Sequence, residues 1–331
     1  MSNSKINLSD NLQICRILNG MWQVSGTHGQ INPESAISEM LEYHKSGFTT
    51  WDLADIYGPA ESFVGKFRKQ LSENQLSQSQ ALTKFVPNPG PMTKSIVEYH
   101  IDQSLAKMNT DSLDLVQFHW WDYNNPSYLD AITNLSKLQD IGKIKNIGLT
   151  NFDTKRVQII TEKGIHLVSN QVQYSILDQR PEKLMVPYCQ KHEIQLITYG
   201  TLLGGFLSEK YLNTFEPTRA ELTTSSLQKY HNMINAWGGW KLFQELLNTL
   251  SVIAKKHDSS IANVSAKFIL DKPAVAGVII GTRLGISQHR EDNSHIFDLK
   301  LDSQDHNMIK TITSKANNLF EIIGDCGDEY R

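Results

Sequence analysis

Two rhythms of apolar and polar residues alternate along this chain. Short apolar runs bounded by Gly, Pro or charged residues read as buried strands, and longer stretches with apolar positions three and four apart read as helices. Arg16 to Val24 holds a short strand that breaks at Gly20. Pro33 to Lys45 reads as a helix, with Ile37, Met40 and Leu41 in helical register and Pro33 suited to the first turn. The Thr-rich run from Phe48 reads as a strand with Asp52 at its end, and Ser62 to Leu71 as a helix. The pairs then repeat. Strands at 81–86, 113–118, 144–149 and 166–172 are each followed by a helix, at 93–108, 126–140, 153–163 and 181–191, before a strand at 194–199. From Gly200 to Trp240 the rhythm breaks into a long polar loop. Helical spacing returns at 241–257 and 261–270, a strand at 274–280, a helix at 303–315, and a polar tail covers 316–331.

About eight strands, most with a following helix, predict an α/β chain closed as a (β/α)₈ TIM barrel with its site at the carboxyl ends of the strands and long loops on that face. No glycine-rich turn follows the first strand, which argues against a doubly wound dinucleotide-binding sheet. No linker-like stretch appears, so one domain is expected over 1–331.

Composition narrows the function classes. The chain has 331 residues, a length that suits a barrel, and is 40% hydrophobic and 20% charged, as soluble globules are. A net charge of −3 gives no electrostatic case for nucleic acid or an anionic membrane. No apolar run approaches the roughly 20 residues that span a bilayer. The start, Met-Ser-Asn-Ser-Lys-Ile-Asn, lacks the apolar core of a signal peptide. Cys15, Cys189 and Cys326 are far apart, without metal-ligand spacing, and fit a reducing, cytoplasmic compartment. Cys326, in a polar tail, reads as an incidental thiol, with a reactive one as the sharper alternative. Nothing in the sequence speaks to oligomeric state.

The chemistry sits at strand ends. Asp52 ends one strand and Tyr57 follows in a loop closed by Gly58 and Pro59; Lys84 lies in the next strand, and His119 ends the one after. Each has a bland reading alone: a cap, a packed phenol, a satisfied core histidine. A buried lysine is harder to dismiss, since it needs a partner. Together, in order along neighbouring strands, they form a set able to protonate a carbonyl oxygen. Asp52 holds the Lys84 ammonium, the ammonium lowers the pKa of the Tyr57 phenol from about 10, and His119 orients the substrate oxygen. No side chain donates hydride, so a cofactor is needed. Asp55 reads as structural. A glycosidase using Asp52 and Asp55 is disfavoured, because both lie in one loop.

In their contexts, Trp-Asp-Leu-Ala-Asp-Ile-Tyr-Gly, Leu-Thr-Lys and Leu-Asp-Leu-Val-Gln-Phe-His, these four residues resemble the catalytic tetrad of the aldo-keto reductases, and the resemblance extends over nearly the whole chain. Gly148 to Phe152 is similar to the family segment after strand five, with Thr150 where Ser is usual, and Asn170 to Tyr174 to the segment at strand six. The resemblance implies that Thr150, Asn151 and Gln171 hold the nicotinamide carboxamide and that Tyr199 stacks on its ring. It assigns Gly20, Met21 and Trp22 to the nicotinamide ribose. The segment Gly200, Thr201, Leu202, Leu203, Gly204 through Lys210, with Arg219, would clamp the pyrophosphate. Gly281, Arg283, His289, Asp292 and Asn293 would form the adenosine-phosphate site. His289 stands where many members have Arg and others Gln, and Asp292 replaces the usual Glu. Arg283 offers a permanent charge for a 2′-phosphate, so NADPH/NADP+ is expected, with NADH as the alternative.

The implied activity is hydride transfer between that cofactor and an aldehyde, ketone or sugar carbonyl, with Tyr57 as proton donor and Tyr57, His119 and Trp120 against the substrate. The alternative is a slow-turnover, redox-sensing subunit, because Gly205 to Tyr211 and Arg219 also resemble potassium-channel β subunits. Trp237 to Trp240 read as a mobile lid or as packed residues opening the next helix. The tail after Gly324 reads as a cover for the barrel mouth or as disordered.

Overall fold

A computed structural model describes residues 4–26 and 31–330. The strands are β1 (Lys5–Ser9), β2 (Leu12–Cys15), β3 (Ile17–Gly20), β4 (Thr50–Asp52), β5 (Gln80–Phe85), β6 (Leu115–His119), β7 (Ile147–Thr150), β8 (Ser169–Gln173), β9 (Gln195–Tyr199) and β10 (Val275–Gly281). Strands β3 to β10 pair in parallel and close into an eight-stranded barrel, with β10 hydrogen-bonded to both β9 and β3. Helices between the strands cover the outside. Several begin at the caps their sequences supply: Asn32, Thr93, Asp153 and Ser260 each accept a bond from a first-turn backbone N–H. Close packing outside the barrel depends on Gly65, where a Cβ would collide with the Lys107 carbonyl of the neighbouring helix Lys94–Met108.

Side chains alternate across each strand, so residues two apart share a face. Leu82 and Lys84 share one face of β5, and Leu115, Gln117 and His119 one face of β6. These are inward faces, and they divide the interior into two layers. The lower is apolar, with Leu18, Leu82, Leu115, Val168, Ile197 and Ala276 in one cluster. The upper is polar: Asp52, Lys84, Gln117 and Gln171 are all buried. The antiparallel hairpin β1–β2, absent from the sequence reading, brings Leu8, Leu12 and Ile14 into the lower cluster and stops the barrel floor. Each such buried aliphatic side chain contributes about 1.5–3 kcal/mol.

One expectation requires correction, and the two readings of the tail are resolved. The stretch 200–240 is not a loop throughout. It contains the helix Ser225–Trp237, which buries Tyr230, Met233, Ile234 and Trp237 at helical spacing. Trp237 and Trp240 are buried on either side of the joint at Gly238 and Gly239, so they form core and not a lid. The tail is folded as well. It holds a short helix, Leu319–Ile323, and a 3-10 turn, Asp328–Tyr330. Cys326 is buried there, and burial, with Asp325 and Glu329 adding to it, pushes its thiol well above the usual range; this is not a reactive cysteine. Among the described residues no helix is long and apolar enough to cross a membrane.

Candidate active site

Strand register assembles the polar layer. Gly20 lies beside Asp52, Lys84 beside Gln117, His119 beside Thr150, and Thr150 beside Gln171. The Lys84 ammonium donates to Asp52 Oδ2 at 2.7 Å and to the Leu53 carbonyl at 3.1 Å. Asp52 Oδ1 accepts from Gln171 Nε2 at 2.7 Å and from Gln117 Nε2 at 3.0 Å. The carboxylate is thus satisfied on both oxygens, which is what permits a buried ion pair to persist. Burial lowers the Lys84 pKa, and Asp52 restores part of the loss.

Tyr57 lies at the mouth, half-buried, with the Lys84 ammonium 5.1 Å from its ring centroid and Trp22 edge-on to it at 5.0 Å. Here the expected electrostatics need correcting. The phenol is pushed well above its ordinary range, first by burial and then by the Asp52 charge. The Lys84 ammonium, paired with Asp52, does not outweigh these two effects.

Asp55 braces the backbone just after β5. Its Oδ2 accepts from the Val86 N–H at 3.2 Å, while its Oδ1 is buried with no hydrogen-bond partner among the described residues. Burial, partly countered by that N–H, pushes the carboxyl up to about 6. The folded state therefore holds this proton more tightly than the unfolded chain does. The resulting stabilisation is complete below about pH 4 and is lost as pH rises through about 6. Asp55→Asn should therefore raise stability at neutral pH by roughly 1–2 kcal/mol and flatten that stretch of the stability profile. Urea unfolding from pH 4 to 8 checks both.

Trp120 was expected against the substrate and is not there. It is fully buried, its indole N–H donating to the carbonyls of Asp122 at 2.7 Å and Asn125 at 3.0 Å. Trp121 takes the mouth position, 39% exposed, with its ring 4.3 Å from that of His119. Gln117 was missed altogether. Its signal was a polar residue on the inward face of an otherwise apolar strand, two positions before His119.

The segments assigned to a nucleotide fall into two groups. Near the polar layer, the Met21 N–H donates to the Asp52 carbonyl, and the Tyr199 hydroxyl lies 2.7 Å from Asn151 Oδ1. Thr150 Oγ1 is buried at the end of β7 without a partner among the described residues. Such an orphaned hydroxyl fits an amide-bearing ligand. Gly200 has φ 70°, and a Cβ there would collide with the Tyr230 hydroxyl, so the backbone turn after β9 requires glycine. Leu203 and Gly204 also have positive φ in the same turn. Farther out, Glu209, beside Lys210, and Asp292 meet at the first turn of the helix Ile261–Leu270. Glu209 accepts from the Ile261 N–H at 2.7 Å, and Asp292 accepts from Asn263 at 2.8 and 3.0 Å and from Ser260 at 3.3 Å. Asn293 is buried beside them in sequence, while Arg283 and His289 are exposed. Arg219 is exposed before the helix Ser225–Trp237, and among the described residues no side-chain bond joins it to this group.

The tail closes over the mouth. Asp325 Oδ2 caps the Thr154 N–H at 2.8 Å. Arg180, buried and paired with Asp178 at 2.7 Å, donates to the Asp325 carbonyl at 3.1 Å and to Glu329 at 3.0 Å. Glu329 and the Tyr330 hydroxyl lie 3.1 and 3.2 Å from the Tyr199 hydroxyl. Lys229 donates to the Tyr330 hydroxyl at 2.6 Å and sits 5.4 Å from the Tyr199 ring centroid. The Tyr330 ring faces those of His119 and Trp121 at 6.4 and 6.5 Å.

Known proteins with this architecture converge. Residues 16–314 match the family model described as Aldo/keto reductase family. The aldo-keto reductase YhdN of Bacillus subtilis is 27% identical over 312 residues, which cover 91% of this chain and 90% of that protein. The NADH-specific methylglyoxal reductase of Escherichia coli is 22% identical, with 79% and 84% covered. The solved structure of a glycerol dehydrogenase from Gluconobacter oxydans superposes with a TM-score of 0.79 at 20% identity, with 95% and 96% covered. Aldo-keto reductases are oxidoreductases that use nicotinamide cofactors and act on small-molecule carbonyl compounds. With the family pattern matched across nearly the whole barrel, from the first barrel strand to the last long helix, the chain belongs to the aldo/keto reductase family.

Proposed function

We propose that this protein is a cytoplasmic, NADPH-dependent reductase of aldehydes, ketones or sugar carbonyls, with Asp52, Tyr57, Lys84 and His119 as its catalytic set. The observation that carries this reading is the buried Lys84–Asp52 pair at 2.7 Å directly beneath the Tyr57 ring. A bound nicotinamide supplies the hydride. Thr150, Asn151 and Gln171 would hold its amide, and Tyr199 its ring. His119 hydrogen-bonds the substrate oxygen and Tyr57 gives it a proton. In oxidation of an alcohol or sugar hemiacetal, Tyr57 takes the proton instead. Trp22, Trp121 and Tyr330 are the rings available to a substrate face. The free cysteines, all buried, fit a reducing compartment.

Cofactor choice rests on Arg283, whose guanidinium suits a 2′-phosphate. One relative is named for NADH specificity, so the preference needs a direct measurement. Arg283→Ala should weaken NADPH at least tenfold and leave NADH nearly unchanged, since only NADPH carries the extra phosphate. Fluorescence titration of wild type and variant with both cofactors checks this. Equal weakening would place the phosphate elsewhere.

The regulatory alternative draws on the closed mouth, where Glu329 and Tyr330 hold Tyr199. A turnover screen against aryl aldehydes, sugars and steroids, with both cofactors and in both directions, separates the two. Steady turnover supports the reductase; tight cofactor binding with negligible turnover supports the sensor.

A further inference from the structure

We infer that Gln117 is a positioning residue: it locks the plane of the Gln171 amide so that Gln171 offers only its carbonyl oxygen to the cofactor amide, and it shares the hold on Asp52. This deepens the reductase reading and rests on it.

Gln171 Nε2 carries two hydrogens, and both have acceptors. One is Asp52 Oδ1 and the other is Gln117 Oε1, each at 2.7 Å. A single bond would leave the amide free to turn about its last side-chain torsion, which is soft and roughly two-fold. Two acceptors on two hydrogens remove that freedom. With Nε2 spent, Oε1 is the atom of this amide that remains for a ligand. A carboxamide NH₂ group needs such an acceptor.

Gln117 is suited to the task by where it sits. It is fully buried, and it is held in turn by donating to Asp52 Oδ1 at 3.0 Å and to the Leu82 carbonyl at 3.4 Å. Its side chain lies on the inward face of β6, in direct register with Lys84 on β5. The amide therefore acts in both directions at once, as acceptor for Gln171 and as donor to the carboxylate that anchors Lys84. An aliphatic residue of the same size would fill the volume and perform neither function.

The test compares Gln117→Leu and Gln117→Glu with wild type by NADPH fluorescence titration from pH 5 to 8. The Leu variant should bind NADPH roughly tenfold more weakly at every pH, as loss of an orienting buried hydrogen bond predicts. The Glu variant distinguishes positioning from packing. Ionised, the new carboxylate repels Asp52 and cannot donate to it; protonated, it both accepts and donates as the amide did. Its NADPH binding should fall short of wild type at pH 8 and recover toward it as pH falls, while wild type and the Leu variant show no such recovery. A Leu variant that melts like wild type and binds within twofold of it would overturn the inference. So would a Glu variant whose binding follows the wild-type pH profile, and this holds even where the Leu variant fails to fold. Wild-type protein that binds neither NADPH nor NADH would overturn the functional reading, and this inference with it.

Discussion

Tyr57→Phe should lower carbonyl reduction by about two to four orders of magnitude, the range a positioned proton donor contributes. NADPH affinity should stay close to wild type, because the change removes one hydroxyl at the mouth and leaves Thr150, Asn151 and Gln171 intact. The phenol's environment adds a pH signature. Burial and the Asp52 carboxylate hold its pKa above the ordinary range, so the donor keeps its proton throughout neutral pH. Reduction should therefore run flat from about pH 6 to 9, and oxidation, which needs the phenolate, should climb with pH. The Lys84 ammonium then has a different task from the one the sequence suggested. Its charge is not enough to ionise the resting phenol against burial and Asp52, but it would lower the cost of the phenolate that forms when the proton leaves. Steady-state rates in both directions, with cofactor titrations alongside, check this. A Phe variant that reduces carbonyls at near wild-type rate would end Tyr57's candidacy.

The second large effect concerns stability. Arg180→Met should cost about 3–5 kcal/mol, because it strands the buried Asp178 and Glu329 carboxylates without their cation. Burial works against the Arg180 charge, but Asp178 and then Glu329 more than compensate, and the guanidinium ends up with a raised pKa. The same change removes the bond to the Asp325 carbonyl, so the tail should detach from the mouth before the barrel unfolds. Urea unfolding measures the first effect. Faster proteolysis near residues 324–330 under native conditions reports the second. Glu329→Gln keeps Asp178 paired and should lose far less stability while still loosening the tail.

What the chain revealed by itself follows from which interactions are local. The barrel strands announced themselves as short apolar runs, and the residues at their carboxyl ends were readable because β-strand alternation and a fixed topology carry them to one mouth. Gln117 obeyed the same alternation and was overlooked because it was read as part of an apolar run. The helix Ser225–Trp237 showed its spacing in Tyr230, Met233, Ile234 and Trp237, yet the Gly-rich and Ser/Thr-rich residues before it masked the start. The floor hairpin was obscured by polar residues around Leu8, Leu12 and Ile14. The tail could not be read at all from local pattern: Asp325 caps a helix that begins 171 residues earlier in the chain, and Tyr330 reaches Lys229 across 101 residues. Trp120 and Trp121 show the limit in miniature. Adjacent rings leave a strand on opposite sides, and only the packing of the loop after β6 decides which one turns inward.

The hairpin of β1 and β2 bears on traffic through the enzyme. Because Leu8, Leu12 and Ile14 stopper one end, the barrel formed by the described residues opens at its other end. If Tyr57 is the proton donor, its proton would be replenished from solvent on the same side by which substrate arrives and product departs. Proton exchange with bulk water should therefore slow whenever a bulky ligand is seated in that mouth.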